Sequence, residues 1–165
     1  MIENEIGINS FRNEWQKASI SILFTHGMLF NSYERFFKSY DLTTQQYNIL
    51  RILYDQYPDP VSTSFLREKM MDKMSDASRL VNRLASKELV LVSPNTSDKR
   101  LVNILISERG INTIKEITGK AFLMDEMLQG LTEEEAMQLT DLLYKSRESI
   151  RKVNESRAAA AQDHS

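Results

Sequence analysis

The hydrophobic pattern of this 165-residue chain changes period twice, and that change limits the fold more than any other feature. Up to Lys87 apolar residues recur at spacings of three and four, the mark of helices with one buried face. Between Leu89 and Ile106 the pattern gives way to two short β-branched runs. From Ser107 the helical spacing returns.

The first helical segment is expected from about Ser10 to Tyr40. Phe11, Trp15, Ala18, Ile22, Leu29, Tyr33 and Phe36 form one stripe, and Ile20, Phe24, Phe30 and Phe37 widen it. A helix apolar on two sides needs two partners, its own domain and a second subunit. Thr43-Thr-Gln-Gln46 is a capping box, opening a helix whose Leu50, Leu53, Tyr54 and Tyr57 share a face and which stops at Pro58-Asp-Pro60. Ser62 or Thr63 can cap a short helix to about Met71, and Ser75 another, from Asp76 to Lys87.

Leu89–Val92 and Leu101–Ile106 flank the polar stretch Ser93–Arg100 and read as a β-hairpin with a long tip. Ser107 begins a helix carrying Ile111, Ile114, Ile117, Ala121, Met124 and Leu128, expected to end near Gly130. Thr132-Glu-Glu-Glu135 is a second capping box, starting a helix through Leu139, Leu142, Leu143, Ile150 and Val153. The tail from Ala158 holds no core residue and should fray.

The fold class that follows is mainly α with a small β-hairpin wing. Three short helices and a hairpin give the winged helix-turn-helix order, with long N- and C-terminal helices for dimerisation. The expected division is a dimerisation helix over residues 1–40, a winged helix-turn-helix domain over 41–107, dimerisation helices over 108–157 and a flexible tail over 158–165.

Composition removes several classes of chemistry. Five glycines and three prolines leave room for long helices, and the absence of cysteine excludes disulfides, thiolate nucleophiles and thiol redox switching. The start of the chain lacks the basic and apolar regions of a signal peptide, and Ile20–Phe24 is too short to span a bilayer, so a cytoplasmic protein is expected. There is no phosphate loop, catalytic triad or metal motif, so neither an enzyme nor a cofactor is expected.

The net charge of −2 hides an uneven distribution. Residues 67–100 carry eight basic and five acidic side chains, whereas the segments on either side are net acidic. Within that basic segment Ala77, Leu80, Val81, Leu84 and Ala85 would bury one helix face. The opposite face presents Ser75, Arg79, Asn82, Arg83 and Ser86, side chains able to read base edges or grip phosphates. Lys99 and Arg100 sit on the hairpin tip, where a thin basic loop can enter a minor groove. A winged-helix module that binds protein rather than DNA is the alternative, but it has no need of Arg79, Arg83 and Arg100 together.

Four stretches in this region resemble the MarR family of bacterial regulators. Ser78-Arg-Leu-Val-Asn-Arg-Leu84 is similar to the core of that family's recognition helix, with Asn82 where Asp is usual. Pro94-Asn-Thr-Ser-Asp-Lys-Arg100 is similar to its wing. Leu42–Leu50 resembles the opening of its second helix, and Ile106-Ser-Glu-Arg-Gly110 the segment after its wing. The resemblance implies a homodimer on double-stranded DNA, with Ser75, Asp76, Ser78, Arg79, Asn82 and Arg83 in the major groove. It makes Arg100 the minor-groove residue and Asp98 the carboxylate that orients basic side chains nearby. It also implies a repressor released by a small aromatic acid, for which His26, Phe30, Tyr47 and Arg51 are the candidate contacts. One departure stands out: Lys87-Glu-Leu89 replaces the family's Lys-Gly-Leu, and a left-handed Glu88 would cost on the order of 1 kcal/mol relative to Gly.

Two further features read first as packing. His26, on the stripe with Ile22, Leu29 and Tyr33, is most simply a hydrogen-bonded core histidine, and one histidine without cysteine argues against a transition-metal site. Met70, Met71 and Met74 could suggest a soft-metal or oxidant sensor, but gap filling explains them better.

Overall fold

The computed structural model describes residues 2–95 and 101–162, which form two compact units divided in sequence after Ala121. The first holds α1 (Ile2–Ile6), α2 (Glu14–Lys38), α3 (Thr44–Gln56), α4 (Thr63–Lys69), α5 (Ala77–Ser86), β1 (Val90–Pro94), β2 (Val102–Ile106) and α6 (Glu108–Gly119).

Local capping decides where these helices begin. The Asn13 side chain accepts from the Gln16 N–H, so the first long helix starts at Glu14 rather than near Ser10. Phe11 is left ahead of it, with the Lys17 ammonium 5.9 Å from its ring centre. The Thr43 box closes in both directions: Gln46 N–H donates to the Thr43 hydroxyl at 3.2 Å, and Thr43 N–H donates to Gln46 Oε1 at 3.1 Å. Ser62, not Thr63, caps α4 by accepting from Phe65 N–H.

α3 is the centre of this unit and packs against α2, α4, α5, α6 and β2. Its Ile49, Leu50, Ile52 and Leu53 are buried among Phe37, Leu66, Leu84, Ile104 and Ile117. Tyr54 and Tyr57 do not join them, being 37% and 53% exposed. They continue the Leu50 stripe onto the last turn of α3 and its cap, where neighbouring elements no longer cover it.

β1 and β2 pair antiparallel, with Val90 opposite Ile106 and Pro94 opposite Val102. Val61 exchanges both backbone hydrogen bonds with Ile104, at 2.9 and 2.8 Å, and ties the start of α4 to the hairpin. Ser107 joins three elements at once. Its N–H donates to Leu89 O, its hydroxyl donates to Glu88 O at 2.7 Å, and the same oxygen accepts from Gly110 N–H at 3.0 Å. A Cβ on Gly110 would collide with Leu89 O, with Ile106 Cγ1 2.7 Å away, so this corner admits only glycine. Glu88 has φ +60°, the left-handed conformation that its place after the helix implies.

The second unit holds α7 (Phe122–Asp125), a 3-10 turn (Glu126–Leu128) and α8 (Glu133–Gln162). Two expectations are corrected in and around it. The helix from Ser107 does not run to Gly130; it ends at Gly119, where Lys120 N–H turns back to Ile117 O at 3.0 Å. Glycine is the weakest helix former short of proline, and the break falls on it. The apolar spacing through Ala121, Met124 and Leu128 continues across the break and so hides it. At the other end, Ala158–Gln162, expected to fray, continue α8, consistent with the high helix propensity of alanine. Thr132 caps α8 through a reciprocal pair with Glu135, at 2.8 and 3.2 Å.

Candidate nucleic-acid interface

α5 divides sharply between a buried and an exposed side. Ala77, Val81 and Leu84 are fully packed, Leu80 and Ala85 partly so, while Ser78, Arg79, Asn82, Arg83 and Ser86 face outward. Neither the Arg79 nor the Arg83 guanidinium has an ion pair or hydrogen bond among the described residues. Two unneutralised cations and a free amide on one rigid helix face form a surface suited to an anionic partner with hydrogen-bonding edges.

The start of α5 differs by one residue from the expectation. Asp76, not Ser75, is the N-cap, its carboxylate accepting from Arg79 N–H at 3.1 Å. Ser75 belongs to the preceding turn, where its hydroxyl donates to Asp72 Oδ2 at 2.6 Å and Met74 N–H donates to Asp72 Oδ1 at 2.9 Å. The Ser75 hydroxyl and then the Met74 amide hold the Asp72 carboxyl below its usual pKa. Asp76 therefore has a structural duty in fixing the turn that carries Arg79. Met71 and Met74 fill no gap, since they are 85% and 93% exposed; only Met70, at 2%, does so.

The hairpin brings Asn95 N–H to Leu101 O at 3.0 Å, so the wing loop leaves and re-enters at one point. Asp98, Lys99 and Arg100 lie outside the described residues.

The four effector candidates fall into two ring pairs and a salt bridge. His26 is exposed rather than a core residue, and its ring stacks on Phe30 at 5.8 Å. It lies about three turns ahead of Phe37, the only fully buried residue of α2. Tyr47 stacks on Phe37 at 4.2 Å, and burial raises its phenol pKa. Arg51 is held by Asp55 at 2.9 Å and by Asn48 at 3.5 Å.

A groove of about 520 Å³ adjoins the arginine face, with Arg83 and Ser86 on one wall and Arg35, Lys38 and Lys87 on others. These residues come from α2, α5 and the loop after it, too far apart in sequence for spacing to link them. Among the described residues no cluster of His, Cys, Asp or Glu is arranged to hold a metal, and no helix is long and apolar enough to cross a membrane.

Comparison with known proteins matches this region. Residues 42–102 fit the model of the MarR family. The HTH-type transcriptional regulator MhqR of Bacillus subtilis is 27% identical over 103 residues, covering 62% of this chain and 70% of its own. Among solved structures, a MarR-like transcription regulator from Bacillus cereus superposes with a TM-score of 0.73 at 22% identity, covering 82% of this chain and 97% of that one. A mutant MarR from E. coli complexed with operator DNA gives a TM-score of 0.72 at 22% identity, covering 84% and 99%. The two structures establish likeness of fold, and the family model falls on the segment that carries the arginine face and the hairpin. Residues 42–102 carry a MarR-family domain, and the chain has the winged-helix fold of the MarR regulators on which it superposes.

Proposed function

We propose that this protein is a sequence-specific DNA-binding transcriptional repressor that acts as a homodimer on a pseudo-palindromic operator. The observation that carries the reading is the exposed face of α5, where Arg79 and Arg83 have no partner among the described residues and Asn82 lies between them in sequence. Arginine is suited to guanine edges, asparagine to adenine, and the hydroxyls of Ser75 and Ser78 to either bases or phosphates. Likeness to a MarR complexed with operator DNA supports this use of the face.

The division of labour proposed is DNA binding by residues 41–107 and dimerisation by residues 1–40 and 108–157. Trp15, Leu23 and Met28 on α2, and Met137, Leu142 and Ile150 on α8, are all more than half exposed in the single chain. Exposed apolar side chains in this number on long helices suit a subunit interface. Lys99 and Arg100 on the wing would meet the adjoining minor groove, with the Asp98 carboxylate orienting the basic side chains nearby. A small aromatic acid that prefers the DNA-free conformation would act as the release signal, through the ring surfaces of His26, Phe30 and Tyr47 and the charge of Arg51.

Selecting duplexes from a random pool with the purified protein tests the reading. The expected product is a pseudo-palindrome with half-sites about 10 bp apart. Recovery of no enriched sequence would refute it.

A further inference from the structure

The reading face of α5 is composed of donors, acceptors and charges, yet one major-groove feature is apolar. Thymine alone carries a C5 methyl group there, and an apolar side chain is what detects it. None of Ser75, Ser78, Arg79, Asn82 or Arg83 ends in such a group except by its stem.

The turn that leads into α5 supplies what is missing. Met74 lies two residues ahead of the Asp76 cap and is 93% exposed, with Met71 at 85% on the same turn. The exposure is not that of a loose loop. Met70 is buried at 2% and anchors the turn to the core. Asp72 fixes the other end, accepting from Met74 N–H and the Ser75 hydroxyl. Lys73 Nζ reaches back to the carbonyl oxygens of Glu68 and Arg67 at the end of α4. The backbone is tied down on both sides while the Met74 side chain is left in water.

We infer that Met74 is a base-reading residue, making an apolar contact with a thymine methyl at the position next to that read by Arg79. This rests on the proposed DNA-binding function. The N-terminal end of a recognition helix is the part that reaches base edges, so a residue immediately ahead of it enters the groove with it. Methionine is suited to the role, since its unbranched thioether can adjust to a methyl whose position varies with local DNA shape.

The test uses the duplex enriched from a random pool, with thymines replaced one at a time by deoxyuridine, which removes only the methyl. Wild type should lose about fourfold in affinity at one thymine in each half-site, the worth of one buried methyl group. Met74→Ala should bind the thymine and deoxyuridine forms of that position equally. Met71→Ala, a comparable exposed truncation, should retain the fourfold difference. Met74→Leu should retain part of it. Discrimination that persists in Met74→Ala, or is absent from wild type at every thymine, would overturn the assignment while leaving DNA recognition by the arginines intact. Failure of the protein to enrich any sequence would instead strike at the DNA-binding function itself. Met74 touches nothing in the core, so its variants should unfold at the wild-type temperature.

Discussion

Glu88 and Arg109 meet across the junction of α5, the hairpin and α6, with Arg109 Nη1 2.9 Å from Glu88 Oε2. The contact sits on a residue held at φ +60°, where glycine would be free of strain. Two opposing effects can therefore be separated. Glu88→Gly should relieve about 1 kcal/mol of backbone strain. It should lose the ion pair, which with both side chains largely exposed is worth no more than about 1 kcal/mol. Urea unfolding should show Glu88→Gly equal to or more stable than wild type, and Arg109→Ala slightly less stable. A loss of several kcal/mol in Glu88→Gly would mean that the glutamate fixes the wing in a way the geometry does not show.

Gly110 should be intolerant for a different reason. Its Cβ would run into Leu89 O and Ile106 Cγ1, both in the rigid corner organised by Ser107. Gly110→Ala should cost at least about 1–3 kcal/mol, as overpacking of a closed site does. Denaturation against wild type would show it, and an unchanged midpoint would mean that the corner opens more readily than its three hydrogen bonds imply.

Much of this organisation was legible beforehand, and the reasons are local. Thr43 with Gln46 and Thr132 with Glu135 are pairs three residues apart, so their capping role needs no tertiary information. The arginine face of α5 followed from helical spacing alone. The Ser75 cap failed because Ser75 and Asp76 are equally able caps, and the choice between them was made by Asp72, which draws the Ser75 hydroxyl into the preceding turn. The break at Gly119 was hidden because the apolar repeat does not change across it. Met71 and Met74 looked like core residues because composition does not reveal which side of a turn faces water. The groove beside Arg83 depends on residues brought together from separate elements.

The Asp72 turn gives a pH-sensitive test of the start of α5. The hydrogen bond from Ser75 and the Met74 amide lower the Asp72 pKa, so their contribution is present above the ordinary carboxylate range and is lost only as pH falls through the depressed value. Ser75→Ala should move that pKa upward, toward the normal value, as carboxyl-carbon NMR titration would show. An unmoved titration would mean that the Ser75 hydroxyl does not hold Asp72.

Subunit association should depend on α8. Ile150 is 59% exposed in the single chain, and a charge there would cost nothing to a monomer. Sedimentation should give twice 19.1 kDa for wild type and a shift toward 19.1 kDa for Ile150→Glu. A variant that stays dimeric with wild-type affinity would place the interface elsewhere.

The Asp76 cap links stability to recognition. Asp76→Ala should cost about 1 kcal/mol of stability by freeing the Arg79 N–H. It should also weaken DNA binding by loosening the turn that carries Arg79, and Asp76→Ser should restore both. Restored stability without restored binding would assign the Asp76 carboxylate a direct part in reading DNA.

The central claim is that Arg79 reads sequence rather than merely supplying charge. The most direct measurement compares wild type and Arg79→Ala on the selected operator and on a shuffled duplex of the same composition, at the same salt concentration. The expected result is a loss of ~1–3 kcal/mol on the operator and a much smaller one on the shuffled duplex. Equal losses on both would contradict it, reducing the arginine face of α5 to a non-specific anion-binding surface.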